Sequence, residues 1–230
     1  MRLALLAGIV AGQMAAGAAM ADAGRITVTG EGRVDAAPDI ATITLGVQVR
    51  GDTAAAALAA NSERLAAVLA RLKAEGIADR DLQTSGLGLG PHYDHSRDGQ
   101  PPRVVGYEAT NMLTVRVRDL SRLGAVLDKA VGDGANTLNG LAFGLAEPQA
   151  ALDRARVAAV QDARRKAEMM ATAAGVALGA VLEMSESHGG GPQPYFRGAP
   201  MAMEAAAVPV EGGEVSLSVQ VSITWEIKAP

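Results

Sequence analysis

The stretch VSLSVQVSITWEIK, Val215 to Lys228, decides the fold class. Val215, Leu217, Val219, Val221, Ile223, Trp225 and Ile227 alternate with Ser216, Ser218, Gln220, Ser222, Thr224, Glu226 and Lys228. Successive strand side chains point to opposite faces, so a period of two describes a strand with one dry and one wetter face. Antiparallel sheets have such faces, whereas parallel sheets are covered on both sides and read as continuous apolar runs. The same alternation recurs upstream. Ile43, Leu45, Val47 and Val49 oppose Thr42, Thr44, Gly46 and Gln48, and Leu113, Val115 and Val117 oppose Thr114, Arg116 and Arg118. Ile26 and Val28 open a further strand, in which Gly30-Glu31-Gly32 reads as a bend or bulge. Leu82 to Leu89 is weaker, because Gly86, Gly88 and Gly90 lower strand preference. Pro91 to Pro102 reads as a polar hairpin loop, and Leu138–Leu145 and Ala180–Glu186 complete the strands.

Between these segments the period lengthens. From Thr53 to Glu75, Leu58, Asn61/Ser62, Leu65, Val68/Leu69 and Leu72 share one helical face, and Gly76 stops the helix. Leu120, Leu123, Val126/Leu127 and Ala130/Val131 mark a second helix, closed by Gly132-Asp133-Gly134. A third starts after Pro148 and runs to Ala174, before Gly175. Its expected inward stripe is Leu152, Ala155/Arg156, Ala159, Ala163, Ala167, Met170 and Ala174, small enough for close backbone packing. Met112, Met169, Met170 and Met184 read as core filler. The order ββαββαβαββ implies hairpins. The fold class is therefore α+β, with largely antiparallel or mixed sheets packed against three helices.

Composition narrows the function classes. Hydrophobic residues make up 49% of the 230, enough for a packed core. A net charge of −4 and six aromatic residues argue against a nucleic-acid binder, which needs a positive field and stacking platforms. With no cysteine there is no disulfide framework, thiolate nucleophile or cysteine-based metal site. Residues 1–21 read as a signal peptide: Arg2, the apolar run Leu3 to Val10, and the small-x-small site Ala19-Met20-Ala21 before Asp22. No cysteine follows that site for lipid attachment. Residues 22–230 then form one domain with a Gly/Pro-rich loop at about 188–213.

Candidate chemistry is thin. His92 and His95, with Asp94, Asp98 and more distantly His188, carry metal-ligand chemistry, but spacing in a loop fixes no geometry. Gly86-x-Gly88-x-Gly90 and Gly189-Gly190-Gly191 lack the strand–loop–helix setting of a phosphate cradle. Glu31/Asp35/Asp39 and Glu147/Asp153 read as charges on strand ends and first helical turns rather than acid–base couples. No Gly-x-Ser-x-Gly elbow exists. Arg164-Arg165-Lys166 beside Asp162 and Glu168 reads as a solvated helix face. Met201 and Met203, in the long loop, read as apolar residues of a loop that docks on a neighbouring subunit rather than as sacrificial oxidation sites. The expectation is no catalytic, cofactor or metal residue.

Several segments resemble the SIMPL-domain family, exported bacterial proteins of the oxidative-stress-defence and periplasmic-immunogenic type. They are Val28-Thr29-Gly30-Glu31-Gly32, Pro38 to Ile43, Gly76-Ile77 with Thr84, Pro91-His92-Tyr93, Gly106 to Asn111, Gly134-Ala135-Asn136, Gly140 to Phe143, Ala155 to Ala167, Gly175 to Gly179, and Pro209 onward. The resemblance covers nearly all of Arg25 to Lys228. It implies an α+β fold, a periplasmic or outer-membrane-associated location, and homo-oligomers of ring form. It implies no catalytic centre. The expectation that follows is a non-catalytic, self-assembling periplasmic scaffold linked to envelope maintenance or oxidative-stress tolerance. The competing expectation is a metal-dependent or redox enzyme using His92 and His95, and a small-molecule binding module remains a third.

Overall fold

A computed structural model describes residues 24–94, 101–187, 193–195 and 210–229. The leader reading of residues 1–21, His95, Asp98, His188, the 189–191 glycines, Met201 and Met203 lie outside the described residues. The described residues form two antiparallel four-stranded sheets and three helices, an α+β fold. In the first sheet, β8 (Glu214–Lys228) lies between β1 (Arg25–Ala36) and β6 (Ala177–Ser187), and the short β7 (Gln193–Tyr195) also pairs with β8. The second sheet runs β3 (Leu82–Asp94), β4 (Arg103–Val117), β2 (Ile40–Gly51), β5 (Thr137–Gly144). The order is the expected one with β7 added inside the segment read as irregular.

Helices α1 (Ala54–Ala74) and α2 (Leu123–Gly132) share a core with the second sheet. Leu65, Val68 and Leu72 of α1 and Val126 of α2 meet Ile43, Val47, Leu113 and Val115 there. Thr53 caps α1, its Oγ1 accepting the Ala56 N–H at 3.2 Å. The helix ends where Ile77 N–H reaches Leu72 O at 3.1 Å and Gly76 N–H reaches Lys73 O at 3.0 Å. Those two bonds close the last turn only if Gly76 turns left-handed, and its φ is 88°.

Helix α3 (Gln149–Ala174) lies on the first sheet against Val28, Val219, Val221, Ile223 and Trp225. Its buried stripe is Ala151, Ala155, Ala159, Ala163, Ala167 and Ala171, an unbroken i, i+4 row. Such a row climbs at about 26° to the helix axis, so it stays in contact only along an inclined line. The expected stripe ended on Met170 and Ala174; the row passes to Ala171, and both of those residues are exposed. Met169 and Met184 are exposed as well, and only Met112 is buried as core filler. The two cores meet through Phe143, which packs on the α1/α2 core and on Val215, Leu217 and Ala151.

Two local readings change. Gly30 and Gly32 are neither bend nor bulge: β1 pairs with β8 in unbroken register, Gly30 opposite Val221 and Gly32 opposite Val219. Their role is closeness. A Cβ on Gly32 would sit 1.9 Å from Ala155 O, and one on Gly30 2.1 Å from Ala159 O. Pro91 to Asp94, expected in the loop, belong to β3, with His92 opposite Gly106 and Asp94 opposite Arg103.

Three carboxylates lie below their ordinary range. Asp81, buried, is held there by hydrogen bonds from Arg118 at 2.9 and 2.8 Å, against the opposing effect of burial. Asp162 is held down by Lys166, by the Glu31 N–H at 3.1 Å and by Arg165, and Glu108 by Arg50 and Gln48. Folded values below the unfolded ones (about 3.9 for Asp, 4.3 for Glu) give stability that is complete above those values and lost as pH falls through the folded ones. The melting temperature is therefore expected to stay flat from neutral pH to about pH 5 and drop below about pH 4. Asp162→Asn should shrink that drop; an acid fall of unchanged size in this variant would remove Asp162 from the account.

Candidate functional site

The β2–β4 register sets Arg50 opposite Glu108, and Arg50 Nε donates to the Glu108 carboxylate at 2.9 Å. Beside this pair opens a cavity of 390 Å³ lined by Gln48, Val49, Arg50, Arg64, Glu108 and Asn136. Asn136 follows α2 and acts as a stitch. Its backbone N–H donates to Gly46 O at 3.0 Å, its Nδ2 donates to Gln48 O at 2.8 Å, and its Oδ1 accepts the Gln48 N–H at 2.8 Å. A side-chain amide thus stands in for a strand peptide on the edge of β2, just before β5 takes over. The arrangement offers hydrogen bonds and guanidinium charge to a polar ligand. It brings together no nucleophile with a base.

His92, half-buried on β3, contributes a weak field at Glu108. No group of three His, Asp or Glu side chains fit to hold a metal ion occurs among the described residues. The charged pairs singled out in the sequence have separate partners. Asp35 binds Arg33 at 2.9 Å and accepts the Ser216 hydroxyl. Asp39 accepts the Ala146 N–H at 2.6 Å, and Asp153 binds Arg156 at 2.6 Å. Arg164 pairs with Glu168, and Arg165 and Lys166 pair with Asp162.

The other unusual surface is apolar. β3 is an edge strand, and Leu87 and Leu89 stand 65% and 47% exposed on it. They lie opposite Asn111 and Ala109, so they share the sheet face that carries α1. The helix covers Ala109, which is fully buried, and leaves the leucines bare. Tyr93, Val104 and Val105 extend the patch toward the hairpin end. On the other sheet, the edge strand β6 exposes Val181, Leu182 and Met184. Edge strands also carry unpaired backbone N–H and C=O groups. The outer edge of β1 differs: α3 engages it, through Asp162 on the Glu31 N–H and Lys166 Nζ on Thr29 O at 3.2 Å.

Neither the cavity nor the apolar edges stood out in the sequence. Gln48, Arg64, Glu108 and Asn136 are far apart along the chain; the hints were the segments Gly106 to Asn111 and Gly134-Ala135-Asn136. Leu87 and Leu89 alternate as core residues do, and only strand order makes them an edge.

Residues 26–225 match the family described as SIMPL, protein of unknown function (DUF541). The chain belongs to the SIMPL family. The SIMPL match begins in β1 and ends in β8, so it takes in both sheets and all three helices. Among SIMPL relatives, the 26 kDa periplasmic immunogenic protein of Brucella melitensis is 42% identical over 212 residues, covering 89% of this chain and 85% of that protein. The uncharacterized protein YggE of Escherichia coli K12 is 35% identical over 214 residues, covering 92% and 84%. YggE of Edwardsiella ictaluri is 33% identical over 185 residues, covering 79% and 77%.

Proposed function

We propose that this SIMPL protein works in the periplasm without turnover, as a self-associating scaffold that supports envelope maintenance or oxidative-stress tolerance. The observation that carries the reading is the bare apolar edge of β3, Leu87 and Leu89 with Tyr93. Contiguous exposed apolar surface on a long edge strand marks a place for another chain. A second apolar edge, β6, sits on the other sheet. Contact between two different edges is heterologous, and heterologous contacts close into rings when the rotation between copies permits. The periplasmic placement draws on the name of the Brucella relative and on the leader-like residues 1–21. Peripheral association with the outer membrane belongs to the same reading.

Light scattering on the purified protein tests it. A closed oligomer of fixed mass is expected. Leu87→Lys together with Leu89→Lys is expected to shift the mass to the monomer, with an unchanged far-ultraviolet circular dichroism spectrum. Both leucines are already in water in the single chain, so the fold should tolerate the change. A wild-type monomer at high concentration would end the scaffold reading.

A further inference from the structure

A second cavity, of 220 Å³, opens between the end of α1, the 3-10 turn Asp79–Asp81 that leads into β3, the end of β4 and the 3-10 turn Leu120–Arg122 before α2. Four arginines are among its lining residues: Arg80, Arg116, Arg118 and Arg122. That concentration is unusual in a chain of net charge −4. Three acids share the lining, and each is engaged. Asp81, 5% exposed, binds Arg118 through Nε and a terminal nitrogen at 2.9 and 2.8 Å. Glu75 binds Arg122 at 2.9 Å. Asp119 accepts the Ser121 N–H at 3.2 Å and its hydroxyl at 2.6 Å. Arg80 has its nearest carboxylate oxygen, of Asp81, at 3.9 Å, and Arg116 makes no ion pair among the described residues.

We propose that this cleft binds a phosphoryl-class oxyanion, either free phosphate or a phosphate-bearing lipid headgroup. A guanidinium carries five N–H donors in a rigid fork that matches the oxygens of phosphate. Arg118 uses two of its donors on Asp81, and Arg122 uses one on Glu75. The carboxylates therefore act as orienters: they hold two forks in place and leave donors unused. Arg80 and Arg116 supply charge that no carboxylate neutralises in full. Glu147 and Asp39 also act on Arg118 from outside the lining, so the attraction rests on the unused guanidinium donors rather than on an excess of positive charge. The C-terminus of α1 borders the cleft and would repel an anion through its free carbonyls. The Gly76 and Ile77 N–H groups cover two of them, Lys73 O and Leu72 O. Ile77 and Val126 give the cleft an apolar wall beside the arginines, suited to whatever carries the phosphoryl group. Binding here is independent of self-association.

The test uses the purified protein with two probes, inorganic phosphate by titration calorimetry and phosphatidylglycerol vesicles by co-sedimentation. Arg80→Ala with Arg116→Ala is the variant, since neither side chain holds the fold. Arg64→Ala, an arginine at the other cavity, is the control. Saturable binding is expected, weakened about tenfold or more in the double variant and unchanged in the control. Phosphate is also expected to raise the melting temperature of the wild type, and of the double variant by less at the same concentration. Binding of phosphate identifies the free anion as sufficient; binding of vesicles alone identifies the headgroup. Absence of both, or equal binding by the double variant, overturns the proposal.

Discussion

A Gly32→Ala protein is expected to lose about 3 kcal/mol of stability, near the upper end for overpacking. The reason is which atoms the new methyl meets. It would lie 1.9 Å from Ala155 O, 2.5 Å from Ala159 N and 2.9 Å from Ala155 C, all of them helix backbone. A clash with a side chain is relieved by a rotamer change, but this one requires α3 to lift off β1. Lifting α3 opens the packing of Ala155 and Ala159 on Val28, Val219 and Val221, and strains the Asp162 bond to Glu31 N–H. Shortening Ala155 to glycine cannot rescue the variant, since the obstructing oxygen stays. Urea unfolding followed by Trp225, the sole tryptophan and 4% exposed in the same core, reads the loss directly. Gly88→Ala is the matched comparison: nothing lies within 4 Å of its added carbon. There the change should be neutral or stabilising by about 0.5 kcal/mol. An unchanged midpoint for Gly32→Ala would mean that the helix does not need its present distance.

Asn61→Asp is expected to cost about 4 kcal/mol at neutral pH, the range for a buried charge without a partner. Asn61 is completely buried on α1. Its Nδ2 gives one hydrogen to Val47 O at 2.7 Å and the other to Ala109 O at 3.0 Å. Those carbonyls belong to β2 and β4, so one amide fastens the helix to two adjacent strands. Its Oδ1 has no partner. Aspartate keeps the shape and replaces both N–H donors with one carboxylate oxygen that faces the two carbonyls. Burial and those carbonyls raise the folded pKa of the new carboxyl above the unfolded value of about 3.9. A raised folded value gives stability that is present at low pH and lost as pH rises through it. The deficit against wild type should therefore shrink on acidification, because the protonated acid can donate to one carbonyl again. Thermal melts of both proteins across pH check this; a deficit independent of pH would show that the donors are not what holds α1.

Helix limits were legible because their signals are local. Thr53, Gly76 and Gly175 act on the backbone within a turn of where they stand, and the helices begin and end there. The alternation of β2, β4 and β8 was legible for the same reason. Asn61 lay on the predicted face of α1, yet its two carbonyl partners are 14 and 48 residues away. Of the cleft arginines, Arg116 and Arg118 were legible only as the polar face of a strand, since Arg80 and Arg122 join them where two turns converge on the end of β4.

From its order of residues alone the chain determined the α+β class, the order of its strands and three helices along the sequence, and largely antiparallel or mixed pairing, because periodicity and capping act between neighbours. Only tertiary structure decided that there are two sheets, that Gly30 and Gly32 serve close packing, that Leu87 and Leu89 stand on a bare edge, and that four arginines share one cleft. Burial and proximity of that kind depend on strand order and on pairs more than a hundred residues apart, such as Gly32 with Val219. Local periodicity gives each strand its dry face without naming what will cover it.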